Sequence, residues 1–483
     1  MYIKRHIEDV IKRVSSGSGL TFPAVIVTGA RQVGKSTMFS NTLKGVRQVS
    51  LDTLAVREVA IQNPELFFRQ YPPPIVVDEV QRAPILFEYI KEKVDNDNEK
   101  KAGQFFLTGS QSFGLMKNVS ESLAGRASII TMAGLSLREI LGLEYYASFR
   151  PTQTHCNDIV KLMPKDGVLS LFKEPDITEI IWKGSFPRLH QRESIIMNAS
   201  LIKIKNGELE THINEKELSL YERHGWRPVS YLKQGDENAG LLPVRYQAKN
   251  ITVEEWQIYY DAYVRTYIER DVRQLTQIQN EMAFYKFMRG VASLTGEQLN
   301  YSDLCRICGK DIKTIKEWLS ILITSGLVYL LEPYYNNTYK RMTQSPKLYF
   351  MDTGLACFLG GWNTPQQILN GAKWGELFET FVVVEILKSY YNSGKSSFSI
   401  PLYYYRDKDN TEIDLIIEDG STLHPIEIKT TGAPKKTMIK SFGKLNELAV
   451  KSGKKVGEGA VICQIDRPLP ITETVMAIPP WMI

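Results

Sequence analysis

The stretch from Thr28 to Thr37, TGARQVGKST, constrains this chain more than any other. Gly29 is followed by four residues and then by Gly34-Lys35-Ser36, the spacing of a phosphate-binding loop. Such a loop needs a buried strand before it and a helix after it. Pro23-Ala24-Val25-Ile26-Val27 is a short apolar run suited to the strand, and Met38 to Leu43 suits the helix. Gly29 and Gly34 let the backbone curl, so that N–H groups across Ala30, Arg31, Gln32, Val33 and on to Thr37 face a phosphate. The helix N-terminus adds partial positive charge at the same point. Lys35 would neutralise the β- and γ-phosphates, and Ser36 would offer its hydroxyl to Mg2+.

A second motif supports the first. Pro74-Ile75-Val76-Val77 reads as a strand buried on both faces of a parallel sheet, and it ends in Asp78-Glu79. Two carboxylates at the end of a buried strand are costly without a cation nearby. Asp78 would hold Mg2+ through water, and Glu79 would polarise the water that attacks the γ-phosphate. Together the motifs specify hydrolysis of ATP or GTP.

The rest of the composition sets limits. A chain of 483 residues predicts about three domains. A net charge of +5 permits a nucleic-acid partner without requiring one. Five cysteines make no disulfide framework, and Cys305 and Cys308 read as core residues of a helix. The N-terminus lacks the apolar core of a signal peptide. No apolar run approaches a bilayer span. These features fit a reducing cytoplasm and no membrane partner.

The expected divisions are a nucleotide-binding domain over 1–145, a helical linker over 146–290, a winged helix over 291–365 and a further domain over 366–483. In the first, strands at 24–28, 47–51, 74–78, 104–108 and 128–132 alternate with helices, which predicts an α/β fold with a parallel sheet. Residues 15–19 read as a flexible join. Thr108 and Ser110 end the fourth strand, where a polar group can sense a γ-phosphate. Arg126 precedes the last strand as a candidate phosphate sensor or trans-acting finger. In the winged helix, helices are expected over 298–308 and 311–325, with strands at 327–331 and 347–350 around Asn336-Asn337. Lys310, Lys313, Thr314 and Lys316, with Lys340 and Arg341, would meet DNA phosphates.

The C-terminal quarter holds another constellation. Glu412-Ile413-Asp414-Leu415-Ile416-Ile417 and Pro425-Ile426-Glu427-Ile428-Lys429 flank Asp419-Gly420-Ser421-Thr422. If Glu418 pairs with Leu423, Asp414 lies opposite Glu427, and Glu412 lies opposite Lys429. Ile413, Leu415, Ile426 and Ile428 then share the other face. Facing carboxylates need something positive between them. Mg2+ suits Asp414 and Glu427, and Lys429 would orient or deprotonate a water for attack on a phosphodiester. After residue 424 the chain has eight lysines and one arginine against five acids, a balance that suits a nucleic-acid backbone.

Several runs carry a resemblance. They are Ser50-Leu51-Asp52, Asp78 to Pro84, Thr108-Gly109-Ser110, Ser120 to Arg126, Gly184-Ser185-Phe186-Pro187, Tyr267 to Val272 and Ser345 to Leu355. Over most of its length the chain resembles a bacterial and archaeal family of AAA-type P-loop ATPases with a C-terminal domain similar to the PD-(D/E)xK nucleases. The likeness fails between about 189 and 252, which reads as an insert. It implies ATP as the nucleotide, Mg2+ as its companion and a restriction-endonuclease-like α/β fold at the C-terminus. It also implies that Glu379 matches that superfamily's helix glutamate and joins the C-terminal metal site. The expected partners are ATP and DNA, with self-association left open.

Overall fold

The structure is a computed structural model. It describes residues 2–17, 19–97, 101–109, 122–162, 176–190, 251–272, 281–335 and 344–483, with the backbone of short strands between 192 and 248. The first domain is built on β1 (Ala24–Thr28), β2 (Arg47–Ser50), β3 (Ile75–Asp78), β4 (Phe105–Thr108) and β5 (Ala127–Thr131). All pair in parallel, in the order β2-β3-β4-β1-β5. The five expected strands are therefore present within a residue or two. Every residue of β1 is buried, because both faces are covered. Val25 and Val27 face a core with Ile7, Ile11 and Phe39, whereas Ala24 and Ile26 face Phe67, Phe87 and Ile90. Each large apolar side chain buried in this way stabilises by roughly 1.5–3 kcal/mol.

The N-terminal helix runs Glu8–Ser16, so Ser15 is buried in its last turn rather than in a flexible join. The expected helical linker is helical only in part. Helices Gln153–Leu162, Ile177–Lys183 and Val253–Thr266 are present. Between them the insert carries strands: β6 (Arg192–Ile196), β7 (Lys203–Lys205), β8 (Glu208–Glu210), β9 (Trp226–Ser230) and β10 (Leu241–Ala248). β6, β10 and β9 form one antiparallel sheet, and β7 and β8 pair as a hairpin. Stretches such as Val244-Arg245-Tyr246-Gln247 alternate apolar and polar residues, a period that favours a strand.

The middle region contains helices Glu281–Ser293, Tyr301–Cys308 and Ile312–Thr324, with β11 (Glu297–Gln298), β12 (Val328–Leu331) and β13 (Lys347–Phe350) in the order β11-β13-β12. Asp311 caps its helix as expected, accepting from the N–H groups of Lys313 and Thr314. The preceding helix starts later than expected, because Gln298 pairs with Lys347 in the sheet and Asn300 supplies the cap. Asn336, Asn337, Lys340 and Arg341 lie outside the described residues.

In the last region, β14 (Leu402–Arg406), β15 (Glu412–Asp419), β16 (Thr422–Lys429), β17 (Lys455–Val456), β18 (Gly459–Cys463), β19 (Leu469–Pro470) and β20 (Val475–Ile478) form a mixed sheet. Helix Trp374–Asn392 packs on one face and Phe442–Lys451 on the other. The first of these is apolar nearly all round, which suits an element enclosed on all sides. Two of its charges, Glu385 and Lys388, are buried facing the first domain. Glu385 accepts from Leu137 N at 2.7 Å, and Lys388 donates to Leu135 O at 2.8 Å and to Glu385 at 2.8 Å.

Candidate nucleotide site and C-terminal carboxylate site

The phosphate-binding loop follows β1 at the carboxyl edge of the sheet, where open α/β sheets bind ligands. Gly29 has φ +151°, and a Cβ there would lie 2.1 Å from Met132 O, so the loop can pass β5 only as glycine. Gly34 has φ +94° and begins helix Lys35–Thr42. Lys35 is buried, and its ammonium donates to Gly29 O at 3.0 Å and Ala30 O at 2.9 Å. The lysine and the loop's own carbonyls therefore sit together at the mouth. Ser36 Oγ donates to Asp78 Oδ1 at 2.8 Å. Thr108 bonds the same carboxylate, and its Oγ1 accepts from Glu79 N at 3.3 Å. The hydroxyl and the carboxylate converge as a set of hard oxygen ligands that fits Mg2+. Glu79 has a left-handed backbone, φ +56°, and its carboxylate is held by Gln81.

The loop is braced from outside its own motif. Arg5 is buried and donates to Val33 O at 2.8 Å, Ala133 O at 2.8 Å and Glu139 at 3.1 Å. Burial pushes the Glu139 carboxyl up, but Arg5, His6 and the N–H groups of Ser136 and His6 outweigh it and hold the group below its ordinary range. Pro187 abuts the loop: its Cγ lies 3.6 Å from where a Gly34 Cβ would stand. Asp352, before helix Thr353–Gly360, fixes that neighbour by accepting from Ser185 N at 2.6 Å, Ser185 Oγ at 2.8 Å and Tyr260 OH at 2.7 Å. A cleft of about 410 Å³ opens beside Gln32, lined also by Arg188, Glu255 and Tyr259.

Arg126 does not join this site. It precedes β5 at the amino edge of the sheet, beside Ala24, with the length of a strand between it and the loop. Its guanidinium is paired with Asp95, at 2.9 Å for one N–H. A phosphate sensor acting within the same chain is thereby corrected. Ser110 lies outside the described residues.

The hairpin register is the counted one: Glu418 pairs with Leu423, Ile416 with Pro425 and Leu415 with Ile426. The loop is shorter, because Asp419 also pairs with Thr422. The ladder then stops. A shift in the β14–β15 pairing between Tyr403 and Tyr405 turns the start of β15, so Ile413 joins the core opposite to that of Leu415. The expectation that these two isoleucine and leucine residues share a face is corrected. Asp414 uses its side chain instead of its backbone, and Oδ2 accepts from Ile428 N at 2.7 Å.

Lys429 brings the carboxylates together, donating to Asp414 Oδ2 at 3.0 Å and Glu427 Oε2 at 2.7 Å. Ser441 bonds the other Glu427 oxygen. Burial and the Asp414 charge push Glu427 up to about 7 against the pull of Lys429. Glu379 stands apart from this pair. Lys347 Nζ at 2.9 Å and Tyr349 OH at 2.7 Å both donate to its Oε1. Burial pushes Glu379 up to about 7 against Lys347, and Asp414 adds to the push. Among the described residues no group of three or more His, Cys, Asp or Glu is arranged to hold a metal ion. Asp414 and Glu427 fit Mg2+ with water completing the shell, whereas the expected third ligand, Glu379, is committed elsewhere.

Sequence reasoning missed Arg5, Asp352 and Lys347 as parts of these sites. Lys347 carried a signal, since a charge opening the apolar run Leu348-Tyr349-Phe350 requires a buried partner.

Comparison with known proteins gives three family matches. Residues 21–141 match the AAA domain family, residues 239–366 a domain of unknown function (DUF8612), and residues 374–483 another (DUF4143). Uncharacterized proteins of Mycobacterium bovis and Mycobacterium tuberculosis are each 23% identical over 460 residues, covering 95% of this chain and 80% of theirs. Among solved structures, a Walker-type ATPase of Pyrococcus abyssi is 12% identical, with a TM-score of 0.38, covering 74% of this chain and 96% of that one. A signal transduction ATPase with numerous domains and a tetratricopeptide repeat sensor, from Pyrococcus horikoshii, is 10% identical, with a TM-score of 0.22, covering 81% and 47%. No helix among the described residues is long and apolar enough to cross a membrane. With its parallel sheet, its G-x-x-x-x-G-K-S loop and the AAA family match, the segment 21–141 is a P-loop ATPase-type domain.

Proposed function

We propose that this protein hydrolyses ATP and uses the nucleotide state to control a DNA-directed module formed by its middle and C-terminal regions. The observation that carries the ATPase reading is the cluster beneath the loop, in which Ser36, Asp78 and Thr108 meet beside Glu79. Lys35 leaves its two carbonyls to take the β- and γ-phosphates. Glu79, once released by Gln81, orients the attacking water and accepts its proton. Bound Mg2+ supplies Lewis-acid stabilisation of charge on the phosphate oxygens. Arg126, on the outer rim, is reserved for contact with a neighbouring copy. The nucleotide's presence reaches the middle region through Pro187 and Asp352.

For the C-terminal site, the finer reading is Mg2+-dependent cleavage of a phosphodiester. Asp414 and Glu427 hold the ion, and Lys429 steadies the water and the developing phosphate charge. Lys313 and Lys316, exposed on helix Ile312–Thr324, offer phosphate contacts. A second reading, a fold that binds without cutting, has its own support: the ammoniums of Lys347 and Lys429 are already paired with the carboxylates, so these are held without a cation.

The deciding experiment measures phosphate release from ATP and cleavage of duplex, branched and single-stranded DNA, each with Mg2+. ATP turnover stimulated by DNA, with cleavage lost in Asp414→Ala, supports the first reading. Stimulated turnover without cleavage selects the second. Turnover indifferent to every DNA ends both, and absence of turnover ends the ATPase reading itself.

A further inference from the structure

A lysine stays in a buried strand only where opposite charge receives it. β13 is buried at every position, and its first residue is Lys347, whose side chain is 4% exposed. The ammonium points into the C-terminal region. It donates to Glu379 at 2.9 Å, bonds Glu412, and lies 5.7 Å from the centre of the Tyr404 ring. Tyr349, on the same face two residues on, donates to the same Glu379 oxygen. Two side chains of the middle region thus clasp a carboxylate of helix Trp374–Asn392. Glu412, the other partner, lies two residues before Asp414 on β15. Two ammoniums hold four carboxylates, Glu379 and Glu412 with Lys347 and Asp414 and Glu427 with Lys429, and Arg406 meets Glu412 as well at 3.5 Å.

We propose that Lys347 is a positioning residue that sets how many carboxylates the C-terminal site offers a divalent cation. Its ammonium keeps Glu379 out of the ion's shell, and the middle region and the ion therefore compete for Glu379. The proposal rests on the reading of Asp414 and Glu427 as a metal pair. A carboxylate oxygen already holding an ammonium and a tyrosine hydroxyl has little charge left for a third partner. A divalent ion brought to the same oxygen would also face the ammonium at close range, and like charges there repel strongly with little water to screen them. The site consequently needs its neighbour in place to keep its composition.

Mn2+ binding to the full chain without nucleotide tests this, read by electron paramagnetic resonance and by the rise in Tm. Lys347→Met is expected to raise Mn2+ affinity by about tenfold or more, the scale on which residues around a metal's ligands act. Glu379→Gln should leave the affinity of the otherwise native protein within about twofold, yet remove the gain in the Lys347→Met background, a coupling only a shared site produces. Asp414→Ala should abolish binding in both backgrounds. Unchanged affinity in Lys347→Met overturns the role of Lys347 while leaving the metal pair standing. So does a tenfold loss from Glu379→Gln alone, and that arm needs no folded Lys347→Met protein. If no binding in either background depends on Asp414, the metal reading fails and this inference falls with it.

Discussion

The two candidate sites gather charge by opposite means. The nucleotide site is written into one short stretch. Its shape comes from backbone, through Gly29 and Gly34, and its candidate ion ligands, Ser36 and Asp78, come from the start of a helix and the end of a strand. The C-terminal site is assembled from side chains on β13, β15, β16 and helix Trp374–Asn392, which belong to two regions of the chain. A site made of backbone keeps its form when one side chain changes. A site made of paired charges does not, because each removal strands a buried partner.

The largest expected effect belongs to the first site. Lys35→Ala should lower ATP turnover by about 10³-fold, with ATP affinity weakened as well. Turnover within tenfold of the native rate would mean that the loop's backbone alone carries the phosphates. Glu79→Gln should slow turnover by roughly 10²–10⁴-fold while leaving ATP binding intact, as measured by equilibrium titration. A loss of binding equal to that of Lys35→Ala would move Glu79 from the water to the ion.

The second site should respond in stability. At about a hundred times its Kd, Mn2+ should stabilise the native chain by about 2.7 kcal/mol, and Asp414→Ala should lose that gain. ATP turnover in Asp414→Ala without DNA should stay within about twofold. A larger fall would show that the contrast between the sites is false.

The helix that meets the C-terminal region through Gln153 N and Glu458 has its own signature. His155 lies on helix Gln153–Leu162, packed edge-on against Tyr146 and Phe149. Burial, with Arg138 and Arg150 nearby and Asp158 opposing, lowers its pKa from 6.5 to about 4. Its folded pKa is depressed, so the unfolded chain binds more protons between those values. Stability is then full above 6.5 and falls with acid, by at most about 1.4 kcal/mol per pH unit. His155→Phe should flatten that part of the Tm profile, and an unchanged slope would assign the acid response elsewhere. The smallest effect is expected from Arg126→Ala. Turnover at concentrations too dilute for self-association should change by less than about twofold, whereas a large fall there would return Arg126 to its own chain's nucleotide.

The same contrast explains what could be read beforehand. The loop, the strand ending in Asp78-Glu79 and the positions of the five strands were legible because the constraint is local: a fixed spacing and an apolar run. The hairpin register from Glu418–Leu423 to Leu415–Ile426 was legible for the same reason. The turn of β15 at Asp414 was not, since the extra residue that causes it shows only in the pairing with β14, where Tyr403 meets Ile416 and Tyr405 meets Ile413. Glu379 was found as a residue but not as a contact, because its partners stand on β13, a strand assigned to another domain. The insert gave no local motif, and its strands differ from a helical linker only through period.

Glu385 and Lys388 bear on how this chain can be taken apart. Helix Trp374–Asn392 offers these two charges to the amide of Leu137 and the carbonyl of Leu135, where the first domain's chain turns into its next helix. Cut the chain ahead of that helix and both ends lose their closure: one exposes an unmatched peptide group, the other an ion pair built for a dry seam. The C-terminal domain is therefore not a cassette that another protein could borrow unaltered. It travels with the ATPase-type domain that seals it, and any recombination would have to carry both faces of the seam.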